Sequence, residues 1–368
     1  MQSGKRARHP VPGDGTESGV DFIMLADRIE AKWIDSFAEA FEASAIRADE
    51  TVAILSETQS RPLNVHLAEL ALQRLGVRPF HLVVPTPRNP WGVIARSTGG
   101  TQSLGNIRPV VQALASCDVV VDVTLEGLMH APETAEILKG GARILVISNE
   151  HPECLERMRP DPDLEARVKA AVKQVRAATE MRVTSAAGSD LTVAIKGAPT
   201  VGIWGSTTRP GTLAHWPGGI IVSFPSPGTV NGRLVLAPGD VNLTFKRYFE
   251  GEVALTIKDD YVVEVEGAGV DADLMRDYWA AWKDRDAYAV SHVGWGLNRN
   301  ARYDALQMYD RRDTNGTELR AVAGNFLFST GANEFAGRYT AGHFDLPMMH
   351  TTIALDGVPV VEDGRLVD

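Results

Sequence analysis

The stretch VVQALASCDVVVDVTLEGLMHAPETAEILKGGARILVI, residues 110–147, decides the fold class of the chain. It contains two apolar runs, at residues 119–123 and 144–147, and a segment with helical periodicity precedes each run. Short Val- and Ile-rich runs that alternate with helices are typical of parallel strands buried on both faces. The stretch therefore predicts strands of an α/β sheet that are connected by helices.

The same alternation continues upstream of this stretch. Residues 52–55 and 81–84 form two more apolar runs, and helical periodicity covers residues 29–41 and 63–75. Four such runs separated by helices indicate a parallel sheet with helices on both faces. We therefore expect an α/β domain at residues 21–180.

The pattern changes after about residue 180. Short strands divided by Gly and Pro follow, with one helix over residues 271–282 and a tight hairpin at Asp356-Gly357. Short strands divided in this way are typical of antiparallel sheets. We therefore expect a β-rich α+β domain at residues 181–368.

Composition narrows the function classes. The chain has 368 residues, two Cys and a formal net charge of −10, which excludes a disulfide scaffold and disfavours binding to nucleic acid or anionic lipid. No apolar run approaches the ~18 residues of a membrane span. Residues 1–20 lack the apolar core of a signal peptide, so we expect a disordered leader. These features predict a cytoplasmic protein without a nucleic-acid or membrane partner.

The motif His343-Phe344-Asp345 is the first candidate for chemistry. In an extended segment, residues i and i+2 project to the same side, so His343 and Asp345 could reach one point while Phe344 faces the core. Two such ligands are part of the arrangement of two His and one carboxylate that holds non-haem Fe(II). A purely structural role for this pair remains the alternative on the motif alone.

Three other histidines are candidates for a binding or catalytic site. His292 lies in the glycine-containing segment SHVGWGLN, residues 291–298, which could form an active-site loop or a simple tight turn. His130 is expected at the end of a buried strand, and His215 begins the segment HWPGG. Strand ends of open α/β sheets are common ligand sites, although packing roles remain equally open for both residues.

Four segments, taken together, resemble one known family. They are HWP at 215–217, SHVGWG at 291–296, GNFLFSTG at 324–331 and HFD at 343–345. In this order and spacing they resemble the 2,5-dihydroxypyridine 5,6-dioxygenases, ring-opening enzymes of nicotinic acid degradation with the fold of the M29 aminopeptidases. The resemblance runs from about residue 118 to 361. It implies an α/β domain followed by a β-rich metal-binding domain.

The resemblance also implies a site and its ligands. Fe(2+) would be held by His292, His343 and Asp345, and the substrates would be O2 and a hydroxypyridine, with N-formylmaleamate as the product from 2,5-dihydroxypyridine. The implied assembly is a homo-oligomer, a hexamer in the family. The remaining implied site residues are His130 and His215, which would handle substrate oxygens or a proton, Ser329 near the metal, and Met129 as an apolar wall.

One position departs from the family pattern. The family's pyridine enzymes carry a glutamate about a dozen residues before the HWP segment, whereas this chain has Ile203-Trp204 there. We expect Ile203 and Trp204 to contact the substrate. Because a missing carboxylate changes the polarity of a pocket, the substrate is either 2,5-dihydroxypyridine or a close analogue.

An M29-type metallo-aminopeptidase, or a related metal-dependent hydrolase, is the alternative function. A two-metal centre of that kind needs glutamates near residues 215–220 and at 292, and a further His within residues 324–331. This chain has Ile220, His292 and Leu327 at those places. A second metal would lose most of its ligands, so the sequence predicts the dioxygenase.

Overall fold

The structure is a computed structural model that describes residues 28–88, 99–105 and 107–367. The predicted leader at 1–20 lies outside the described residues. None of the helices in these ranges is both long and apolar enough to cross a membrane. The α-helices are α1 (Ala31–Ala43), α2 (Pro62–Arg74), α3 (Arg108–Ala115), α4 (Thr134–Lys139), α5 (Pro152–Arg157), α6 (Pro162–Ala177), α7 (Val270–Trp282), α8 (Ala305–Met308) and α9 (Thr317–Ala321).

Short 3₁₀ helices cover Arg285–Tyr288, Arg311–Asp313 and Glu334–Ala336. The strands are β1 (Val52–Glu57), β2 (Phe80–Val84), β3 (Val119–Asp122), β4 (Arg143–Ile147), β5 (Glu180–Ser185), β6 (Asp190–Ala194), β7 (Thr200–Ile203), β8 (Leu213–Trp216), β9 (Ile220–Ser223), β10 (Val230–Leu236), β11 (Val241–Asn242), β12 (Arg247–Tyr248), β13 (Val253–Lys258), β14 (Tyr261–Glu266), β15 (Val290–Gly296), β16 (Phe326–Thr330), β17 (Phe344–Met348), β18 (Thr351–Leu355), β19 (Val358–Glu362) and β20 (Arg365–Leu366).

A five-stranded parallel sheet with the order β2-β1-β3-β4-β8 organises the first half of the chain. Apolar residues of β1, β3 and β4 face two separate buried clusters, one with α1 and α2 and one with α3 and α4. The parallel sheet covered on both faces, predicted from four apolar runs, is therefore confirmed. The sequence did not reveal the fifth strand, β8, which comes from beyond residue 180.

Antiparallel sheets make up the rest of the chain, as the Gly- and Pro-divided pattern predicted. One has eight strands in the order β14-β13-β10-β6-β5-β18-β19-β20, and the other has five in the order β17-β16-β15-β9-β7. A large buried cluster that includes residues of α6 and α7 packs between them. The predicted fold class, an α/β part followed by a β-rich α+β part, is confirmed. The exact boundary near residue 180 stays a prediction.

The segment around His292 is a strand and not the predicted loop. All seven residues of β15 are buried, and Gly294 pairs with Val222 on one side and Leu327 on the other. A Cβ on Gly294 would lie 1.8 Å from the carbonyl oxygen of Ile221. The glycine is needed because the neighbouring strand approaches so closely, and this close approach explains why a turn signal occurs inside a strand.

Candidate active site

One face of the five-stranded antiparallel sheet carries the candidate site. Side chains alternate along each strand, so the ladder partners Gly294 and Leu327, and Ser329 and Asp345, define a single face. His292 lies two residues before Gly294 and therefore belongs to this face. The pairing of β15 with β16 is irregular between residues 290 and 293, a kind of distortion that often re-aims a side chain near an active site.

The opposite face of the same sheet is part of the hydrophobic core. Phe328 and Phe344 are fully buried there, and the ring of Phe344 packs edge-on against Trp279 of α7, with 4.9 Å between ring centroids. Burial of Phe344 directs its neighbours His343 and Asp345 to the other side, as the period of an extended segment predicts.

A cavity of about 270 Å³ lies against the first face. Loops that follow β3 and β4 at the carboxyl end of the parallel sheet close its other side, which is where ligands bind in open α/β folds. One part of the cavity contains the imidazoles and the candidate metal ligands. The described residues that line this part are Met129, His130, His215, His292, Arg320, His343 and Asp345.

Three of these residues form a candidate metal site. The possible ligand atoms of His292, His343 and Asp345 all lie within 4.8 Å of one another, and all three residues are buried. The Nε2 atom of His343 lies 3.3 Å from Oδ2 of Asp345, and Nε2 of His292 lies 3.8 Å from Oδ1. Two imidazoles and one carboxylate that converge on one point would leave the other coordination positions of a metal ion open toward the cavity.

The protonation states of His292 and Asp345 fit a metal ion. Burial lowers the pKa of His292 to about 3, so its ring is neutral and has a free lone pair. Burial alone would raise the pKa of Asp345, but Arg320 and His343 hold it well below its usual range. The Nδ1 atom of His292 is buried and has no hydrogen-bond partner in the protein, whereas Nε2 is the nitrogen that lies 3.8 Å from the carboxylate of Asp345.

Two side chains orient the carboxylate of Asp345. The hydroxyl of Ser329 donates a hydrogen bond to Oδ1, and Nε of Arg320 donates one of 2.5 Å to Oδ2. Ser329 is fully buried and is absent from the described residues that line the cavity. It therefore contacts Asp345 of the candidate metal site from outside the cavity, and its catalytic role stays a prediction. No motif in the sequence pointed to Arg320.

His215 presents one free nitrogen to the cavity. It is the third residue of β8, and its Nδ1 lies 2.7 Å from the carbonyl oxygen of Pro217. A carbonyl oxygen can only accept, so Nδ1 carries the proton and Nε2 has the lone pair. Burial lowers the pKa of His215 to about 4, which keeps this imidazole neutral near pH 7.

His130 lies in a loop, whereas the sequence predicts that it lies at the end of a strand. Strand β3 ends at Asp122, and His130 follows eight residues later, with its backbone N–H bonded to the carbonyl oxygen of Gly99 at 2.7 Å. Its ring centroid lies 6.4 Å from that of His343. Burial, together with His343, lowers the pKa of His130 to about 4.

Asp122 holds the loop that carries His130. Its buried carboxylate accepts hydrogen bonds from the backbone N–H groups of Thr124 and Leu128, at 2.9 and 2.7 Å, and from the hydroxyl of Thr124 at 2.7 Å. Burial raises the pKa of this carboxyl group to about 6. Asp122 is a second positioning residue that the sequence analysis missed.

The three apolar residues that the sequence analysis placed at the substrate lie in different positions relative to the cavity. Met129 and Ile203 line the cavity, and their contact with the substrate stays a prediction. Trp204 is absent from the described lining residues, and its indole packs against the core with Nζ of Lys169 5.1 Å from the ring centroid. Trp204 therefore lies on the side away from the cavity in this structure, because successive residues of the extended segment point to opposite sides, and its contact with the substrate stays a prediction without support from this arrangement.

Comparisons with known proteins agree with this geometry. The family model for 2,5-dihydroxypyridine 5,6-dioxygenase, NicX, matches residues 32–368. A 2,5-dihydroxypyridine 5,6-dioxygenase from Pseudomonas putida KT2440 is 35% identical over 342 residues, which are 92% of this chain and 96% of that protein.

Solved structures give the same result. The structure of 2,5-dihydroxypyridine dioxygenase from Pseudomonas putida KT2440 superposes with a TM-score of 0.87 at 35% identity, covering 93% of this chain and 98% of that one. Wild-type AmpT from Thermus thermophilus superposes with a TM-score of 0.61 at 15% identity, covering 92% and 99%. The second likeness shows the fold alone and agrees with the predicted M29 aminopeptidase-like class. The chain belongs to the 2,5-dihydroxypyridine 5,6-dioxygenase family and is a ring-cleaving dioxygenase, as the four sequence segments predicted.

Proposed function

We propose that the chain uses Fe(II) and O2 to open the ring of 2,5-dihydroxypyridine, or of a close analogue, between C5 and C6. The observation that carries this proposal is the buried cluster of His292, His343 and Asp345 at the wall of a cavity in a chain of this family. Both oxygen atoms enter the product, so C5H5NO2 and O2 give N-formylmaleamic acid, C5H5NO4, without a further reactant.

The donor set is compatible with iron, and the dioxygenase family favours iron over other metals. Two histidines and a carboxylate with open positions are the usual ligands of non-haem Fe(II) in oxygenases. When bound, the iron would bring the hydroxylated ring and O2 to one centre and let electron density pass between them. Asp345 would offset one of the two positive charges of the iron, so that a net positive charge would remain to attract an anionic oxygen of the substrate.

The protein's own side chains would move the proton. We assign the role of base to Nε2 of His215, which can take the proton of the ring hydroxyl because its lone pair is free. His130 would contact a substrate oxygen from the opposite loop. Ser329 and Arg320 fix the carboxylate of Asp345, so that its orientation does not change when substrate enters.

The aminopeptidase alternative has less support in the structure. Within the described ranges, one group of His, Cys, Asp and Glu side chains is close enough to hold a metal, and it is the cluster already named. Ile220 and Leu327 line the cavity where further ligands would be needed. Assembly as a homo-oligomer and a cytoplasmic location remain predictions.

Oxygen uptake tests the proposed function directly. Protein purified anaerobically and loaded with Fe(II) should consume one O2 per 2,5-dihydroxypyridine and give a product heavier by both oxygen atoms. Zn(II)-loaded protein, as the control, should consume none. Release of amino acids from peptides with added Co(II) or Zn(II), without O2 uptake, would instead establish the hydrolase.

Replacing Asp122 with alanine should lower turnover without loss of iron. The loop that carries His130 would lose three hydrogen bonds, and buried N–H groups left unpaired cost about 1–3 kcal/mol of unfolding free energy each. Steady-state O2 uptake, iron content and thermal unfolding measure the three effects.

Asp118→Ala is the matched control for this variant. Its carboxylate accepts a hydrogen bond of 2.8 Å from the backbone of Thr51 just before the amino end of β3, far along the strand from the cavity. Asp118→Ala should lose some stability but keep wild-type turnover. Wild-type turnover in Asp122→Ala would show that the loop does not depend on this carboxylate.

A further inference from the structure

Two neighbouring strands form an apolar wall beside the candidate metal site. Val201 and Ile203 of β7 pair with Val222 and Ile220 of β9, so these four side chains lie on one face of the sheet. All four line the cavity. Strand β9 is also the direct neighbour of β15, which carries His292. The wall therefore begins next to the metal ligands and extends away from them.

The length of the wall exceeds what one small ring needs. Strands in a sheet lie about 4.8 Å apart, so β7 is roughly 10 Å from β15. A single six-membered ring that binds iron through an oxygen would cover β9. It would leave the far end of the wall, at Val201, without a partner.

The far end of the wall is solvent-exposed and apolar. Val201 is 41% exposed and Phe335 is 61% exposed, although both line the cavity. The ring of Phe335 lies 5.1 Å from that of Phe224, which in turn lies 5.6 Å from the ring of His292. Apolar contact surface is therefore continuous from the metal site to the mouth of the cavity.

Phe335 is held in this position by buried polar contacts. Asn333 donates to the carbonyl oxygen of Pro225 at 3.0 Å and accepts from the backbone N–H of Ala336 at 3.1 Å. Arg338, at the other end of this turn, pairs with buried Asp260 and donates to the carbonyl oxygen of Val290 at 3.0 Å. Exposed apolar surface that is continuous with a cavity is typical of a ligand-binding groove.

Several polar residues line a different side of the cavity. Thr124, Ser148, Asn149, Asn315 and Arg320 line the side formed by the ends of the parallel strands and by the segment that includes α9. Glu334, the neighbour of Phe335 in the chain, also lines the cavity. A bound ring would therefore turn its nitrogen and oxygens to the polar side and its carbon edge to the wall. A negatively charged substituent would meet the charge of Glu334.

We propose that the substrate of this chain is a 2,5-dihydroxypyridine with a neutral, apolar substituent on C3 or C4, which lies along Val201, Ile203, Ile220 and Val222 and reaches Phe335. C3 and C4 are the two ring carbons that carry neither oxygen nor nitrogen and take no part in the C5–C6 cleavage. This inference rests on the proposed function, because it uses the same ring opening. The reaction stays balanced, since the substituent passes unchanged into the product.

A substrate series tests the inference. The specificity constant kcat/KM, from O2 uptake by Fe(II)-loaded protein, is compared for 2,5-dihydroxypyridine and for its 3- and 4-substituted methyl, propyl and carboxyl derivatives. A methylene in an apolar pocket changes kcat/KM by about tenfold or more, so at one ring position the propyl compound should exceed the parent by at least that factor. The carboxyl compounds should fall below the parent.

The variant Val201→Thr keeps the shape of the side chain and the branched Cβ, and it replaces a methyl group with a hydroxyl. It should reduce the ratio of kcat/KM for the propyl compound to that for the parent by about fourfold, the value of one buried methyl-sized group. Val263→Thr is the matched control, because Val263 is 59% exposed on β14 and does not line the cavity. Its ratio should equal that of the wild type.

The possible outcomes separate this inference from the proposed function. If the parent is turned over and the propyl compounds are no better, or if a carboxyl compound is preferred, the apolar-substituent inference is wrong while the ring-opening function stands. If Val201→Thr and Val263→Thr give the same ratio, the wall does not contact the substituent. Absence of O2 uptake with every compound overturns the proposed function and this inference together.

Discussion

Replacing His343 with alanine should abolish iron retention and turnover together. The change removes one of three ligands from the candidate site and leaves two donors that cannot fix a metal with open positions. Loss of a residue that only supports a ligand costs about 10–100-fold in metal affinity, so loss of the ligand should cost more than about 100-fold. Iron per chain after anaerobic gel filtration and the O2 uptake rate measure both effects.

His350→Ala is the matched control for this prediction, because His350 is exposed and lies seven residues from His343. It should keep wild-type iron content and rate. Asp345→Asn is the better variant at the carboxylate, because its amide oxygen can still accept the hydrogen bond from Nε of Arg320, which alanine cannot. Full activity in a His343→Ala protein that holds no iron would exclude the triad as the catalytic centre.

Regular features of the chain were predictable from local physical rules. The apolar runs of β1, β3 and β4 are buried on both faces, and such strands show as continuous Val- and Ile-rich segments in the sequence. The relation between His343 and Asp345 was predictable for a similar reason. Phe344 must reach the core, and a period of two then directs both neighbours to the opposite face.

Features that depend on distant contacts were not predictable. Strand β8 has four residues and pairs with β4, about 70 residues earlier, so its own sequence carries little information about its partner. The glycines of β15 suggested a loop, whereas they allow close packing of neighbouring strands. Arg320 and Asp122 are single charged residues outside any motif, and their roles follow only from the groups they contact.

The proton-transfer role of His215 leads to the second large effect. His215→Asn should keep a donor for the carbonyl oxygen of Pro217, because the Asn side-chain amide can occupy the place of Nδ1–H, but it removes the basic Nε2. Turnover should fall about 10²–10⁴-fold, the usual contribution of a general base, while iron content stays unchanged. His215→Gln, which places an amide near Nε2, should be equally slow, since an amide cannot take the proton. Loss of iron in both variants would show instead that His215 supports the metal site.

The pH profile gives an independent test of the same role. A base must be neutral to act, and burial lowers the pKa of His215 to about 4, so activity should persist as the pH falls through 6.5 and decline only near pH 4. An exposed histidine would lose its basic form around pH 6.5. Iron content measured at each pH separates protonation of the base from release of the metal. An acid limb centred at pH 6.5 with iron fully retained would contradict the assignment, because it would place the essential proton on an imidazole in water and not on the buried ring that faces the cavity from β8.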